Sequence, residues 1–196
     1  MSAFLAPIHF WMYDKILIAQ ELTFKLEEKF LNKEEREEVE SLFPGLYSKD
    51  LEEVIDQSNI HGWLHIAVSN VEIRFAYIVK TLLDKGISLE EIKKVAFEYG
   101  KTFPEQEVSS LKDAYELLMD ILLDGLPCDV SISVAREEEN ELEFVLYNDI
   151  HKQYFNEFDL EVSLYHEIRE AFVNGIFERY ALKYKNISES NKLITR

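Results

Sequence analysis

Two histidines stand four residues apart in Asn59-Ile60-His61-Gly62-Trp63-Leu64-His65. On a helix that spacing puts them one turn apart on one face, where His61 and His65 could share a divalent metal ion. Glu72 lies about 10 Å further along the same helix and cannot join them. Further ligands would come from His9, His151, His166, Cys128 or a carboxylate. Two features oppose a metal. Ser58 and Asn59 are good N-caps and Gly62 is a poor helix-interior residue, so His61 falls in the first turn. The helix dipole there is positive, and it favours an anion or a neutral imidazole over a cation. Gly62 also occupies the place of the glutamate in a His-Glu-x-x-His zinc protease.

A second unit, Ile8-His9-Phe10-Trp11, echoes Ile60-His61-Gly62-Trp63, and these two units hold both tryptophans of the chain. The likeness does not extend along the helices, so it is no solenoid repeat. If the two helix starts converge, Trp11 and Trp63 would wall a cleft. His9 and His61 would be its polar handles and His65 would stand at its rim. Apolar walls with a few polar groups are the pattern of small-molecule sites.

Periodicity supplies the helix that would carry the histidine pair. Leu64, Ala67, Val68, Val71, Phe75, Ile78, Val79 and Leu82 form one apolar stripe over residues 60–84. His61, His65 and Glu72 follow one edge of that stripe. A first helix is expected from Pro7 to about residue 31, with proline tolerated at its first position. An acidic helix over 33–42 stops at Pro44-Gly45, and Asp50 caps a short helix over 51–57. Ser88-Leu89-Glu90-Glu91 is a capping box that opens a helix ending near Gly100. Ser110 opens another, over 111–123. In a final helix over 160–184 the apolar stripe contains Arg169. A guanidinium on an apolar stripe needs a carboxylate, backbone carbonyls or a ligand anion. His166 sits at the stripe's edge with Glu170 one turn on, a surface ion pair or a proton-transfer pair. His151 reads as a loop histidine and Cys128 as a small buried apolar residue.

Between the helices the pattern changes. Asp129 to Arg136 and Glu141 to Leu146 alternate apolar and polar residues, as in a hairpin with one face buried. A lone hairpin is marginal in water, so this one should pack on the helices or pair with its copy in a second subunit as a homodimer. Residues 186–196 read as a polar tail. No linker divides the chain, and 1–196 is expected to form a single domain. That domain has a helical part over 7–124, a hairpin over 129–147 and a C-terminal helix over 160–184. The fold class is α+β, predominantly α-helical, with about five to seven helices and one antiparallel hairpin packed on them.

Composition removes several functions. The net charge is -17 and the tail cations Lys183, Lys185, Lys192 and Arg196 are sparse, so neither nucleic acid nor anionic lipid is an expected partner. The N-terminal apolar stretch lacks a basic n-region and is broken by Asp14 and Lys15, so it reads as neither a signal peptide nor a membrane span. One cysteine fits a reducing cytoplasm. No G-x-G-x-x-G, P-loop, G-x-S-x-G or cysteine pair is present. The expected function is therefore binding of a small ligand or a protein partner by a cytoplasmic protein. Its site residues would be His9, Trp11, His61, Trp63, His65 and Arg169. The alternative is a metal-binding protein or metal-dependent enzyme that uses His61 and His65 with His9 or another ligand.

Overall fold

The computed structural model describes residues 4–48, 50–125 and 132–196. Helix α1 (Pro7–Phe30) starts on its proline. Helix α2 (Lys33–Leu42) opens with a capping box, in which Asn32 Oδ1 accepts from the Glu35 amide and Glu35 Oε2 accepts from the Asn32 amide. A single turn, α3 (Leu51–Val54), is capped by Asp50. Asn59 caps α4 (Ile60–Asp84) by accepting from the Gly62 amide at 3.2 Å. Ser88 opens α5 (Leu89–Lys101) and Ser110 opens α6 (Leu111–Ile121), each with a capping box. Strands β1 (Ile132–Glu137) and β2 (Glu141–Leu146) follow. After them come α7 (His151–Asn156), α8 (Ser163–Phe177), β3 (Lys183–Asn186) and β4 (Asn191–Thr195). The class is α+β and predominantly helical, with eight α-helices among the described residues.

The sheet is larger than the hairpin expected over 129–147. Four antiparallel strands lie in the order β1-β2-β4-β3. Residues 186–196 are not a loose tail, because β4 pairs with β2 from Glu141↔Thr195 to Val145↔Asn191. The final helix ends at Phe177 rather than near 184. A 3-10 turn (Glu178–Tyr180) and left-handed Ala181 then redirect the chain into β3. Strand β2 is thus paired on both sides within the chain, with β1 and β4. The inner face of the sheet, with Leu142, Phe144, Tyr184 and Ile194 buried, packs against α6 and α8.

Two apolar clusters fill the interior. The larger joins α5, α6, α8, the sheet and the C-terminal half of α4. The smaller joins the N-terminal halves of α1 and α4 with α3 and Leu123. Arg74 locks α4 to α1 and α2. Its Nε and Nη2 each donate to the Glu27 carboxylate at 2.8 Å, and Nη1 donates to Glu40 and to the Phe43 carbonyl. Among the described residues no helix is long and apolar enough to cross a membrane.

Gly100, expected to end α5, is its penultimate residue. There α5 crosses α8 at Gly175. A Cβ on Gly100 would stand 2.1 Å from the Phe172 carbonyl oxygen, and one on Gly175 would stand 2.1 Å from the Phe97 carbonyl oxygen. Both obstacles are backbone, so the helices themselves would have to separate. Gly100→Ala should therefore cost stability at the upper end of about 1–3 kcal/mol, despite alanine's better helix propensity. A urea midpoint equal to or above that of the parent would refute this packing.

Candidate functional site

The buried face of α4 points Glu72 inward, toward the first turn of α7. There His151, with no surface exposed, sits between two carboxylates. Its Nδ1 lies 2.8 Å from Glu72 Oε2 and its Nε2 lies 3.5 Å from Asp124 Oδ1. Asp124, just beyond α6, takes a two-pronged contact from Arg169 on α8. Nη2 donates to Oδ2 at 2.9 Å and Nη1 donates to Oδ1. A carboxylate–imidazole–carboxylate–guanidinium chain thus links α4, α7, the end of α6 and α8 through the interior. Tyr165, one turn before Arg169, lays its ring on His151 at a centroid distance of 3.7 Å. A second pair adjoins this chain. Asp149 Oδ2 lies 2.7 Å from His166 Nε2, while Asp149 Oδ1 accepts from the His151 amide at 3.0 Å.

Burial disfavours every charge in this cluster, and neighbouring charges decide which survive. Burial alone would lower the pKa of His151, but Glu72 and Asp124 reverse this and raise it to about 9, so the ring is an imidazolium at neutral pH. Burial would raise the pKa of Asp124, yet Arg169 and His151 hold it well below the usual carboxylate range. Burial outweighs Asp149 at His166, whose pKa is lowered. Lys15, on α1, is 6% exposed. Burial lowers its pKa to about 8, against the pull of Asp124 and Asp120. Its Nζ lies 3.6 Å from the centroid of the Trp11 ring. Trp11 Nε1 in turn donates to Asp120 at 2.9 Å.

Beside the cluster is a cavity of about 50 Å³. Residues of α1, α4, the end of α6 and α8 line it. Its wall is apolar (Ile18, Leu22, Val71, Leu122 and Ile168 among others) except for Glu72, Tyr165 and Arg169. The α8 side also holds unfinished polar chemistry. Among the described residues the buried Arg169 Nε, His166 Nδ1 and Tyr184 hydroxyl have no hydrogen-bond partner, although Tyr184 lies within the field of the guanidinium. Unsatisfied buried groups of this kind mark strain, function or a bound molecule.

A scan of family models and searches of curated proteins and of solved structures found no match for this chain.

The residues singled out in the sequence divide into two groups. The two Ile-His-x-Trp units do meet, with the His9 and His61 rings 5.5 Å apart at centroid. Their tryptophans do not face each other. Trp63 packs on Tyr13 at 5.9 Å, whereas Trp11 turns to Lys15 and Asp120. His61 and His65 are exposed. His9 Nδ1 accepts from the Ala6 amide at 3.0 Å, so in the neutral ring the proton is on Nε2 and neither nitrogen has a lone pair to spare for a metal. Among the described residues no group of three His, Cys, Asp or Glu side chains could hold a metal ion. Arg169 belongs to the interior cluster instead, on Asp124. Three sequence expectations need correction. His151 is not a loop histidine but a fully buried one at the start of α7. His166 is buried and pairs with Asp149 rather than Glu170. Glu72 is 3% exposed and lies inside, not at a rim shared with His61 and His65. Cys128 lies outside the described residues.

Proposed function

We propose that this protein binds a small organic molecule in the cavity between α1, α4, the end of α6 and α8. The reading rests on one observation, a small apolar pocket with Glu72, Tyr165 and Arg169 gathered as its polar groups. An apolar pocket with a few convergent polar groups and perturbed ionisable neighbours is the usual form of a ligand site. The volume suits a ligand of a few non-hydrogen atoms, with an apolar body and one hydrogen-bonding end. A volume of about 50 Å³ favours a small molecule over a protein partner. The pocket also places the site inward from the helix starts, with Arg169 in its lining. Binding is favoured over catalysis, because Glu72, His151, Asp124 and Arg169 direct their charges at one another rather than at a reacting atom.

Cyclopentanol, an apolar ring with one hydroxyl, tests this reading. Titrated into the full chain, it should shift the methyl resonances of Ile18, Val71, Leu122 and Ile168 saturably. Ala19→Leu, which adds bulk to the wall, should weaken binding at least about tenfold by occupying the space. Shifts that grow linearly and spread over surface methyls would remove the site.

A further inference from the structure

Lys15 is the one buried Lys, Arg, His, Asp or Glu side chain among the described residues with neither a hydrogen bond nor an ion pair. Each of the others is tied to a carboxylate, a cation or a backbone carbonyl. The Lys15 Nζ lies against the face of Trp11, 3.6 Å from the ring centroid, and is not itself closed off from solvent. Such a cation–π contact is weaker compensation than the hydrogen bonds a buried ammonium normally requires. The charged groups that face it are few. Asp120 is engaged by the Trp11 indole and Asp124 by Arg169, and Arg169 itself repels the amine. The neutral amine is therefore unusually accessible in energy. Lys15 also lies one turn before Ile18 and Ala19 on the same helix, and both of those line the cavity.

From this geometry we infer that Lys15 is a carbonyl-reactive amine that anchors a small aldehyde or ketone as an imine beside Trp11. The step needs no oxidant or reductant. The Nζ lone pair forms a bond to the carbonyl carbon, the C=O π pair moves to oxygen, and a proton passes from nitrogen to that oxygen. The resulting carbinolamine loses its hydroxyl, with a second proton, as water, and the C=N bond forms. Desolvated lysines are the ones that enzymes and carriers use in this way. The lowered basicity is consistent with it. At pH 7 an amine of pKa about 8 is free to about one part in ten, against less than about one in a thousand for an ordinary lysine. This inference deepens the cavity reading and rests on it for the ligand's apolar body.

The test uses the full chain, isobutyraldehyde and sodium cyanoborohydride at pH 7, with adducts located by peptide mass mapping. The expected result is one adduct per chain, on Lys15, formed at least about tenfold faster than on exposed lysines such as Lys33 and Lys112. Lys15→Arg, which keeps a cation over Trp11, should abolish the fast adduct. Labelling that follows surface exposure, with Lys15 last or unmodified, overturns the proposal. Cyclopentanol separates the two ideas. If it binds and protects Lys15, both stand. If Lys15 labels rapidly and cyclopentanol neither binds nor protects, the reactive amine stands and the cavity reading fails. If cyclopentanol binds while Lys15 does not label, only the amine proposal fails.

Discussion

Arg169→Met is expected to destabilise the protein by about 3–5 kcal/mol, the largest effect of any single substitution in the interior cluster. The guanidinium is 3% exposed and spans both oxygens of Asp124. Methionine fills a similar volume but takes from the Asp124 carboxylate the cation that spans both its oxygens. Desolvation of an under-compensated charge then dominates the cost, not the loss of one attractive contact. The same reasoning predicts strong non-additivity. Asp124→Leu alone should be nearly as damaging, because it strands Arg169. The double variant removes both charges and should recover most of the loss, as replacing a buried pair with apolar residues often does. Urea unfolding of the four proteins at pH 7 measures this. Single variants within about 1 kcal/mol of the parent would mean that the pair is solvated in solution and the interior cluster is not dry. A double variant that is stable yet no longer binds cyclopentanol would assign Arg169 to the ligand rather than to the fold.

The helices were legible because their ends are written in local chemistry. Asn32, Ser88 and Ser110 each complete a capping box with the acid three residues on, and the stripe from Leu64 to Leu82 is buried along α4. The C-terminal strands were hidden because their pattern is diluted. Tyr184 and Ile194 point inward, but buried Lys192 shares their face and Leu193 breaks the alternation. Lys192 is tolerated there because its Nζ donates to the Ser188 and Glu189 carbonyls of the turn it follows. The packing role of Gly100 was hidden for a related reason. A glycine near the end of a helical run reads as a stop, whereas a glycine needed for close helix approach has no local mark without its partner Gly175.

The site was half legible. Arg169 drew attention because a cation on an apolar stripe must have a partner, and the Trp11 unit because it recurs. Asp124 and Asp149 could not be singled out, since a chain with 38 acidic residues offers too many equivalent candidates and only the fold selects two. Lys15 looked like a break in an apolar run, when it is a buried residue whose amine lies over the Trp11 ring.

The protein should lose about 1 kcal/mol of stability between pH 6.5 and 8, the loss from His151 being larger than the opposing gain from Lys15 and Lys192. In the unfolded chain this imidazole titrates near 6.5, while in the fold Glu72 and Asp124 hold its pKa at about 9. The folded state therefore binds more protons across that interval. Stability from this group is fully present below pH 6.5 and is lost as pH rises toward 9, at about 1.4 kcal/mol per unit. The window closes near 8 for a specific reason. Lys15 and Lys192 have folded pKa values lowered to about 8, so above that pH the unfolded state binds the extra protons and stability rises again. Below 6.5, His166 works in the opposite sense to His151, because burial lowers its pKa and the unfolded chain takes up its proton first. The profile should thus fall from pH 6.5 to 8 and then turn, a shape that surface carboxylates titrating near 4 cannot produce. Urea unfolding at half-unit steps of pH would trace it. His151→Gln should flatten the 6.5–8 limb while leaving the rise above 8, since the lysines are untouched. A parent profile that is level across 6.5–8, or an imidazole NMR signal for His151 that titrates near 6.5, would show that the two carboxylates do not hold the proton on this ring.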